Sequence, residues 1–181
     1  MTETFGGICH DGITFPNTTA REVDGEIQLN TSSIFSSYRH DFNLTKSKFT
    51  EDGWFKTGDL GTAHNDYQIS ISGRSDDTII SGGIKINPAE IENILRKYIN
   101  TPFVAGGKDH EKWGQALSIV FENDIPKDAT LQTIRTLLSN DLDNKYLPLQ
   151  TATVDTFQKT ASGKIKRNET LQKSKVVEEH K

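Results

Sequence analysis

The sequence predicts an α+β fold in which a mainly β first part is followed by a second part that mixes helices and strands. Alternating polar and apolar residues at 26–30 and at 66–72 are typical of strands that bury one face. Apolar residues at helical spacing occur only after the second of these segments. We therefore predict two modules, residues 1–75 and residues 76–181, joined by a short polar hinge.

Helix signals open the second module. Asn87 is a favourable N-cap, Pro88 suits the first helical position, and Glu90 lies three residues after the cap. This helix has one apolar face, formed by Ile91, Ile94, Leu95 and Tyr98. A second helix is predicted from the spacing of Leu131, Ile134, Leu137, Leu138 and Leu142. Strands are predicted at 113–121 and 151–157.

Two further segments are predicted to be irregular. Residues 42–52 are polar, include Lys46 and Lys48, and are expected to form a surface loop. The tail, residues 173–181, is charged and is expected to be frayed.

Composition bounds the class of partner. Lys and Arg number 21 and Asp and Glu number 25, a formal net charge of −4, so a positive field for a nucleic-acid backbone is missing. The single cysteine, Cys9, excludes an intrachain disulfide and favours a reducing compartment. The sequence has no run of 18 apolar residues, and Met1 is not followed by a basic and then apolar segment. We therefore expect a cytoplasmic protein without a membrane span.

Several familiar catalytic motifs are missing from the sequence. The pairs Gly107-Lys108 and Gly163-Lys164 lack both the glycine five residues upstream and the Ser or Thr downstream that a phosphate loop needs. Zinc-protease, paired-cysteine and nucleophile-elbow patterns do not occur either. Nucleotide binding by a Walker loop is therefore excluded.

Asp59 and Arg74 form the first polar pair of interest. Asp59 lies in a glycine-bounded turn after two aromatic residues, and Arg74 follows fifteen residues later. A carboxylate is a natural acceptor for the two hydroxyls of a ribose, and a guanidinium binds a hydroxyl or phosphate nearby. Spacing alone favours a simpler interpretation, in which Asp59 caps a turn and Arg74 pairs with a surface carboxylate.

Small residues mark two other segments. The pair Gly82-Gly83 permits close approach of a ligand to the backbone, although paired glycines more often make an ordinary tight turn. Trp113 is similarly expected to pack in the core or at an edge more often than to bind a ligand. Taken alone, the segment with Lys164, Lys166 and Arg167 is typical of a solvated basic turn.

Taken in order, these clusters resemble the core motifs of the adenylate-forming superfamily, which includes the acyl-CoA synthetases. The resemblance implies that residues 1–75 are the distal β-rich part of a large AMP-binding domain and that residues 76–181 are the mobile carboxyl-terminal domain. The motifs lie in the family's order and at similar spacing, at residues 1–4, 25–27, 54–61, 73–83, 86–92, 113–115 and 160–167.

The resemblance implies a role for each matching residue. Thr2 would contact an ATP phosphate, and Glu3 would help to hold Mg²⁺, a cation that prefers oxygen ligands. Asp59 would accept the ribose hydroxyls with Arg74 beside it. Asp76 matches the hinge between the two domains.

The same resemblance implies a reaction in two steps on a small carboxylic acid, ATP and CoA. Lys164 would lie between the substrate carboxylate and the α-phosphate during adenylation, as the catalytic lysine. The carboxyl-terminal domain would then rotate, so that Gly82 and Gly83 line the path of the CoA pantetheine.

Within the superfamily, the chain is most similar to the o-succinylbenzoate–CoA ligases of menaquinone biosynthesis. This similarity rests on residues 1–7, on Asp11-Gly12 and on the compact segment before Gly25. Another acyl- or aryl-CoA ligase is the alternative, because the family sets acyl specificity mostly upstream. Ile84 departs from the family, which usually has a polar residue after the paired glycines.

The family's phosphate loop and most of its acyl pocket precede the point where this chain begins, so we expect the isolated chain to be inactive. Three explanations stay open: a fragment of a ligase, a subunit of a split enzyme that needs an amino-terminal partner, or a non-catalytic nucleotide- or protein-binding module. The presence of Asp59, Arg74 and Lys164 argues against the third, since a binding relic has no need of a catalytic lysine.

Overall fold

The computed structural model describes Thr4 and residues 7–180. The chain divides into two compact units, unit 1 from Met1 to Asp76 and unit 2 from Asp77 to Lys181. Strands dominate unit 1 and helices occur mainly in unit 2, so the predicted α+β class is confirmed.

Unit 1 is built on one antiparallel sheet. The sheet has six strands in the order β1-β2-β6-β5-β4-β3. The strands are β1 (Cys9–His10), β2 (Ile13–Thr14), β3 (Thr18–Val23), β4 (Glu26–Thr31), β5 (Phe55–Asn65) and β6 (Gln68–Arg74). The strand predicted at 26–30 corresponds to β4, and the one predicted at 66–72 begins two residues later, because Asp66 and Tyr67 form the turn before β6.

Two apolar groups hold this sheet together. The first lies on the sheet and comprises Ile8, Ala20, Ile27, Leu29 and Ile69. The second is aromatic: Phe35 packs edge-on against Phe55 at 5.8 Å between ring centroids, and Phe49 packs against Phe55 at 5.4 Å. Phe55, the second aromatic of the 54–61 motif, is 2% exposed and anchors that motif to unit 1.

The loop predicted at 42–52 is wrong over its first part, which forms helix α1 (Phe42–Lys48). Asp41 caps this helix, because its carboxylate accepts a hydrogen bond from the Leu44 amide at 2.8 Å. None of the seven helical residues is buried. The helix therefore leaves no apolar stripe in the sequence, and only its cap signals it.

Unit 2 has a sheet of mixed direction with helices on both faces. Strand β10 lies at its centre, parallel to β11 and antiparallel to β9 and β7. The strands are β7 (Ile79–Ser81), β8 (Ile84–Ile86), β9 (Phe103–His110), β10 (Gly114–Glu122), β11 (Gln150–Val154) and β12 (Lys175–Glu179). The helices are α2 (Pro88–Leu95), α3 (Leu131–Leu138) and α4 (Arg167–Lys173), with a 3₁₀ turn at Asn144–Tyr146.

Alternate residues of β9 and β10 enter two separate cores. Phe103 and Phe121 point to the larger core, which also takes Leu95 of α2 and Leu138 of α3. On the opposite face, Val104, Val120, Ala152, Val154 and Phe157 pack with Leu171 of α4. Because both faces are covered, β10 is a nearly continuous buried apolar run.

The predicted starts of the two helices agree with the structure, and their predicted last residues do not. The Asn87 side chain accepts a hydrogen bond from the Ala89 amide at 3.1 Å, as an N-cap does. Helix α2 ends at Leu95, so Tyr98 lies beyond it and is 48% exposed, while Ile99 is buried in its place. Leu142 likewise lies after the end of α3, although it packs against the larger core.

The expected frayed tail is wrong up to Glu179. Helix α4 and strand β12, neither of them predicted, occupy this end of unit 2, and β12 pairs antiparallel with β11. Glu178 fastens the strand: its carboxylate accepts hydrogen bonds from the Leu131 amide at 2.6 Å and from the Thr151 hydroxyl at 2.8 Å. A charged residue of the tail thus caps the amino-terminal end of α3.

Replacing Glu178 should show that the tail is part of the fold. Glu178→Ala removes two hydrogen bonds to a charged acceptor and leaves the buried Thr151 hydroxyl without this partner. We expect a loss of about 1.5–3 kcal/mol in the free energy of unfolding, measured by urea denaturation followed by circular dichroism. Val177→Ala, at a neighbouring side chain that is 58% exposed, is the control. Equal effects of the two substitutions would contradict the assigned capping role.

Candidate functional site

The position of Asp59 is set by the backbone around it. The Thr57 hydroxyl donates a 2.6 Å hydrogen bond to the Ile27 carbonyl of β4 and accepts one of 2.9 Å from the Asp59 amide. Gly58 between them has a φ of +74°, which strongly favours glycine, and its amide donates to the Glu26 carboxylate at 2.7 Å. These hydrogen bonds to β4 therefore fix the backbone conformation around Asp59 within β5.

Asp59 and Arg74 are brought together by strand pairing. The two residues face each other in the register of β5 and β6. The Arg74 guanidinium donates a 3.0 Å hydrogen bond to the Asp59 carboxylate and one of 3.1 Å to the Thr57 carbonyl. The fifteen-residue spacing in the sequence is thus a hairpin spacing that puts a carboxylate and a guanidinium side by side.

Arg74 also binds Asp76, whose side chain is 68% exposed, so the predicted pairing of Arg74 with a surface carboxylate is present in the structure. Its guanidinium donates two hydrogen bonds to the Asp76 carboxylate, at 3.0 and 3.2 Å. These bonds lower the pKa of Asp76, against an opposing effect of burial. The same bonds to Asp76, followed by those to Asp59, raise the pKa of Arg74. The proposed hinge residue is therefore tied to the arginine expected beside the nucleotide.

Gly82 and Gly83 form the two-residue turn between β7 and β8. Their φ values are +56° and +84°, as a type I′ hairpin turn requires. Trp113 closes over the turn: its carbonyl accepts a 3.0 Å hydrogen bond from the Gly82 amide, and a Cβ at Gly82 would come within 2.7 Å of the Trp113 ring. Gln115 supports the preceding strand, because its side chain accepts a 3.0 Å hydrogen bond from the Ile80 amide.

The simpler interpretation of Gly82, Gly83 and Trp113, a tight turn with an aromatic residue packed at an edge, agrees with the structure. The paired glycines make a tight turn, and Trp113 packs at an edge while staying 39% exposed. Ile84, where the family usually has a polar residue, packs against the larger core of unit 2. The turn is rigidly backed on one side and presents its glycine backbone on the other.

Lys164 lies in an exposed turn whose two arms are paired. The Thr160 amide donates to the Lys164 carbonyl at 2.8 Å, and the Lys164 amide donates to the Thr160 hydroxyl at 3.1 Å. Lys159 and Ile165 form an isolated antiparallel bridge below the turn. Gly163 has a φ of +84°, so this turn also depends on a glycine. The backbone thus holds Lys164 directly after an ordered, exposed turn.

Arg167 is the functional candidate that sequence reasoning treated only as local positive charge. It is largely buried, and its guanidinium donates hydrogen bonds to the Glu92 carboxylate, to the Ala105 carbonyl and, at 3.2 Å, to the Asp77 carboxylate. Burial opposes the charged form of Arg167, but the bonds and charges of Glu92 and Asp77 outweigh it and raise its pKa. One sequence feature could have indicated that Arg167 is buried. Glu92, in the 86–92 motif, is an acidic residue among the otherwise apolar buried residues of α2 and therefore needs a basic partner.

The two residues expected to contact phosphate and Mg²⁺, Thr2 and Glu3, lie outside the described residues. Within Thr4 and residues 7–180, no group of three or more His, Cys, Asp or Glu side chains is arranged to hold a metal ion. In the same part of the chain, no helix is long and apolar enough to cross a membrane.

Comparison with known proteins gives sequence relatives and solved structures. No family model matches the chain. The 2-succinylbenzoate–CoA ligase of Listeria monocytogenes serotype 4b is 37% identical over 156 residues, which cover 85% of this chain and 32% of that protein. The chain therefore spans about a third of the length of this relative.

Two solved structures share the fold. ATP-bound MatB from Rhodopseudomonas palustris superposes with a TM-score of 0.77 at 25% identity, over 89% of this chain and 35% of MatB. The o-succinylbenzoate CoA synthetase MenE of Bacillus subtilis, in complex with the acyl-adenylate intermediate, gives a TM-score of 0.73 at 26% identity, over 87% of this chain and 35% of MenE. The chain therefore belongs to the adenylate-forming superfamily, in which it corresponds to the carboxyl-terminal portion of the acyl-CoA ligases.

Proposed function

We propose that the chain supplies the carboxyl-terminal portion of an ATP-dependent acid–CoA ligase that acts on o-succinylbenzoate in menaquinone biosynthesis. The observation that carries the proposal is the pairing of Asp59 with Arg74 across β5 and β6, at 3.0 Å. The pairing puts a carboxylate, which we propose as the acceptor for the ribose hydroxyls, next to a cation across a hairpin. The identity with 2-succinylbenzoate–CoA ligase supports the acyl substrate.

The pair is suited to a nucleotide. The Asp59 side chain is 24% exposed, and one of its oxygens accepts from Arg74. A carboxylate has about four acceptor sites, so it can bind two ribose hydroxyls without releasing the guanidinium. Arg74 holds the Asp59 carboxylate in its orientation, since the Arg74 guanidinium is itself held by the Thr57 carbonyl.

In the first half-reaction, an oxygen of the acid attacks the α-phosphorus of ATP, and the bond to pyrophosphate breaks with its electron pair leaving on pyrophosphate. The approach brings negative charges together. A fixed ammonium at that point offsets the repulsion, and we assign this role to Lys164. Its exposed place beside an ordered turn leaves the side chain able to enter a site formed by other parts of the enzyme.

In the second half-reaction, the CoA thiolate attacks the acyl carbonyl carbon, and AMP leaves with the electron pair of the broken bond. We assign the Gly82-Gly83 turn to the path of the pantetheine, because a glycine backbone permits the closest approach. The exchange of Lys164 for this turn requires a rotation between the units. We place its hinge at Asp76, the last residue of unit 1.

The remaining parts of the active site are proposed to come from an amino-terminal portion, either on the same polypeptide or as a separate subunit. The relative and the two solved structures are each about three times as long as the segment that matches this chain. Thr2 is proposed to contact phosphate, and Glu3 is proposed to hold Mg²⁺, which would supply charge neutralisation on the phosphates when bound. We propose a cytoplasmic location on the basis of the single cysteine.

The isolated 181-residue chain should not form an acyl-adenylate, because it would lack the phosphate loop and most of the acyl pocket. We expect no pyrophosphate release above background with ATP, Mg²⁺ and o-succinylbenzoate, measured by a coupled phosphate assay. The prediction would be contradicted if the isolated chain released pyrophosphate and if Lys164→Ala abolished that release.

Lys164 should control adenylation once the rest of the enzyme is supplied. We would join the chain to the amino-terminal portion of the Listeria monocytogenes ligase and measure the exchange of labelled pyrophosphate into ATP. Losing one preorganised charge should lower the rate about 10²–10³-fold in Lys164→Ala. Lys166→Ala, which removes a nearby exposed ammonium paired with Glu169, should stay within about threefold because surface ion pairs contribute little. Comparable losses in both variants would reject a specific role for Lys164.

Asp59 should control the affinity for ATP in the same fusion. Asp59→Asn removes the charge from the ribose acceptor, and a hydrogen bond to a charged group contributes about 1.5–3 kcal/mol. We therefore expect the KM for ATP to rise about 10- to 100-fold, with a smaller change in the KM for the acid. The control is Asp24→Asn, at an exposed turn residue with a φ of +53° that asparagine tolerates. An unchanged KM for ATP in Asp59→Asn would leave only the structural interpretation of the pair.

A further inference from the structure

A buried polar cluster of unit 2 has no part in the chemistry proposed above. Its centre is Arg167, whose side chain is 18% exposed and which pairs with Glu92, 6% exposed. The same guanidinium nitrogen that meets Glu92 also donates to the Ala105 carbonyl of β9. Because both side chains are largely buried, breaking this pair would remove much of the charge compensation of each group, and the pair therefore restrains its own geometry.

The third partner of Arg167 is the first residue of unit 2. Asp77 accepts a hydrogen bond from the Arg167 Nε atom at 3.2 Å, and its side chain is 28% exposed. Asp77 directly follows Asp76, the proposed hinge residue. One guanidinium thus joins the segment next to the hinge to helix α2 and strand β9.

Arg167 is also close to Lys164 along the chain. They are three positions apart in the chain, which limits the distance between their Cα atoms to about 10–11 Å even if the segment is fully extended. The segment is held on its other side as well, since the Lys166 amide donates to the Gln158 carbonyl at 2.7 Å. Arg167 is the first residue of α4, so the Lys164 turn ends where the cluster begins.

We propose that Arg167 is a positioning residue for Lys164: by clamping Asp77, Glu92 and β9 to the start of α4, it makes the hinge segment and the Lys164 turn move as one body. This proposal rests on the proposed function only for its catalytic consequence. The clamp itself is a property of unit 2. A rotation at the hinge then carries the lysine through a defined arc, with no additional freedom between the hinge and the turn.

A purely structural Arg167 would make a different prediction. The Glu92 pair alone would satisfy the fold, and the contact with Asp77 would have no effect on the Lys164 turn. Asp77→Asn separates the two cases, because it weakens the bond on the hinge side and leaves the buried Glu92–Arg167 pair intact. The control is the same change at an exposed aspartate elsewhere in unit 2, Asp155→Asn.

Amide hydrogen exchange on the intact 181-residue chain tests the clamp without any enzymatic assay. In Asp77→Asn we expect the Lys164 and Lys166 amides to exchange about tenfold faster, while the Ile119 amide in the centre of β10 keeps its rate. Asp77→Glu should restore most of the protection. Equal acceleration at all three amides, or no acceleration at the turn, would overturn the proposal.

The catalytic consequence is read in the fusion with the amino-terminal portion. Asp77→Asn should lower kcat for pyrophosphate exchange about 10- to 100-fold, since misplacement by about 1 Å costs this much, and leave the KM for ATP unchanged. A fusion that is inactive with the natural residues would count against the proposed function and leave the exchange result standing. An active fusion whose kcat ignores Asp77→Asn would contradict the positioning role.

Discussion

A carboxylate inside unit 2 is the constraint on which that unit depends. Glu92 accepts hydrogen bonds from Arg167, from the Ala105 amide at 2.9 Å and from Arg96 at 2.9 Å. Burying an unpaired charge costs several kcal/mol, so these partners must be in place whenever the unit is folded. The pairing fixes α2 against β9 and the start of α4 against both. Lys164 is three residues before that anchor, and its place in unit 2 follows from the same constraint.

Unit 1 uses a shared cation in a similar way. Arg74 binds Asp59 on the neighbouring strand and Asp76 at the end of the unit. In the proposed reaction, Asp59 binds the nucleotide and Asp76 is the hinge, so one guanidinium touches both. A nucleotide that altered the bonds of Arg74 to Asp59 would therefore also alter the restraint on the hinge. Arg74 in unit 1 and Arg167 in unit 2 thus each bind the acidic residue on their own side of the boundary, Asp76 and Asp77 respectively.

The sequence predicted best those features that local chemistry determines. The N-cap at Asn87, for example, depends only on neighbours in the chain. The place of Arg74 beside Asp59 was expected from the family resemblance, whereas the strand pairing that produces it was not predicted. Helix α1 was missed because it buries no residue, and β12 was missed because its pairing with β11 is a long-range contact. Arg167 was seen only as a basic residue in a turn, since its partner Glu92 lies 75 residues away. Local charge cannot distinguish a solvated arginine from one that is buried against a distant acid.

If this chain completes an acid–CoA ligase, the enzyme so completed should release the CoA thioester. The chain fused to the amino-terminal portion of the Listeria monocytogenes ligase would be incubated with ATP, Mg²⁺, CoA and o-succinylbenzoate, and the CoA thioester would be measured by mass spectrometry. We expect the thioester in amounts that depend on Lys164. A soluble, folded fusion that yields neither acyl-adenylate nor thioester, while the intact Listeria monocytogenes ligase yields both, would contradict this expectation.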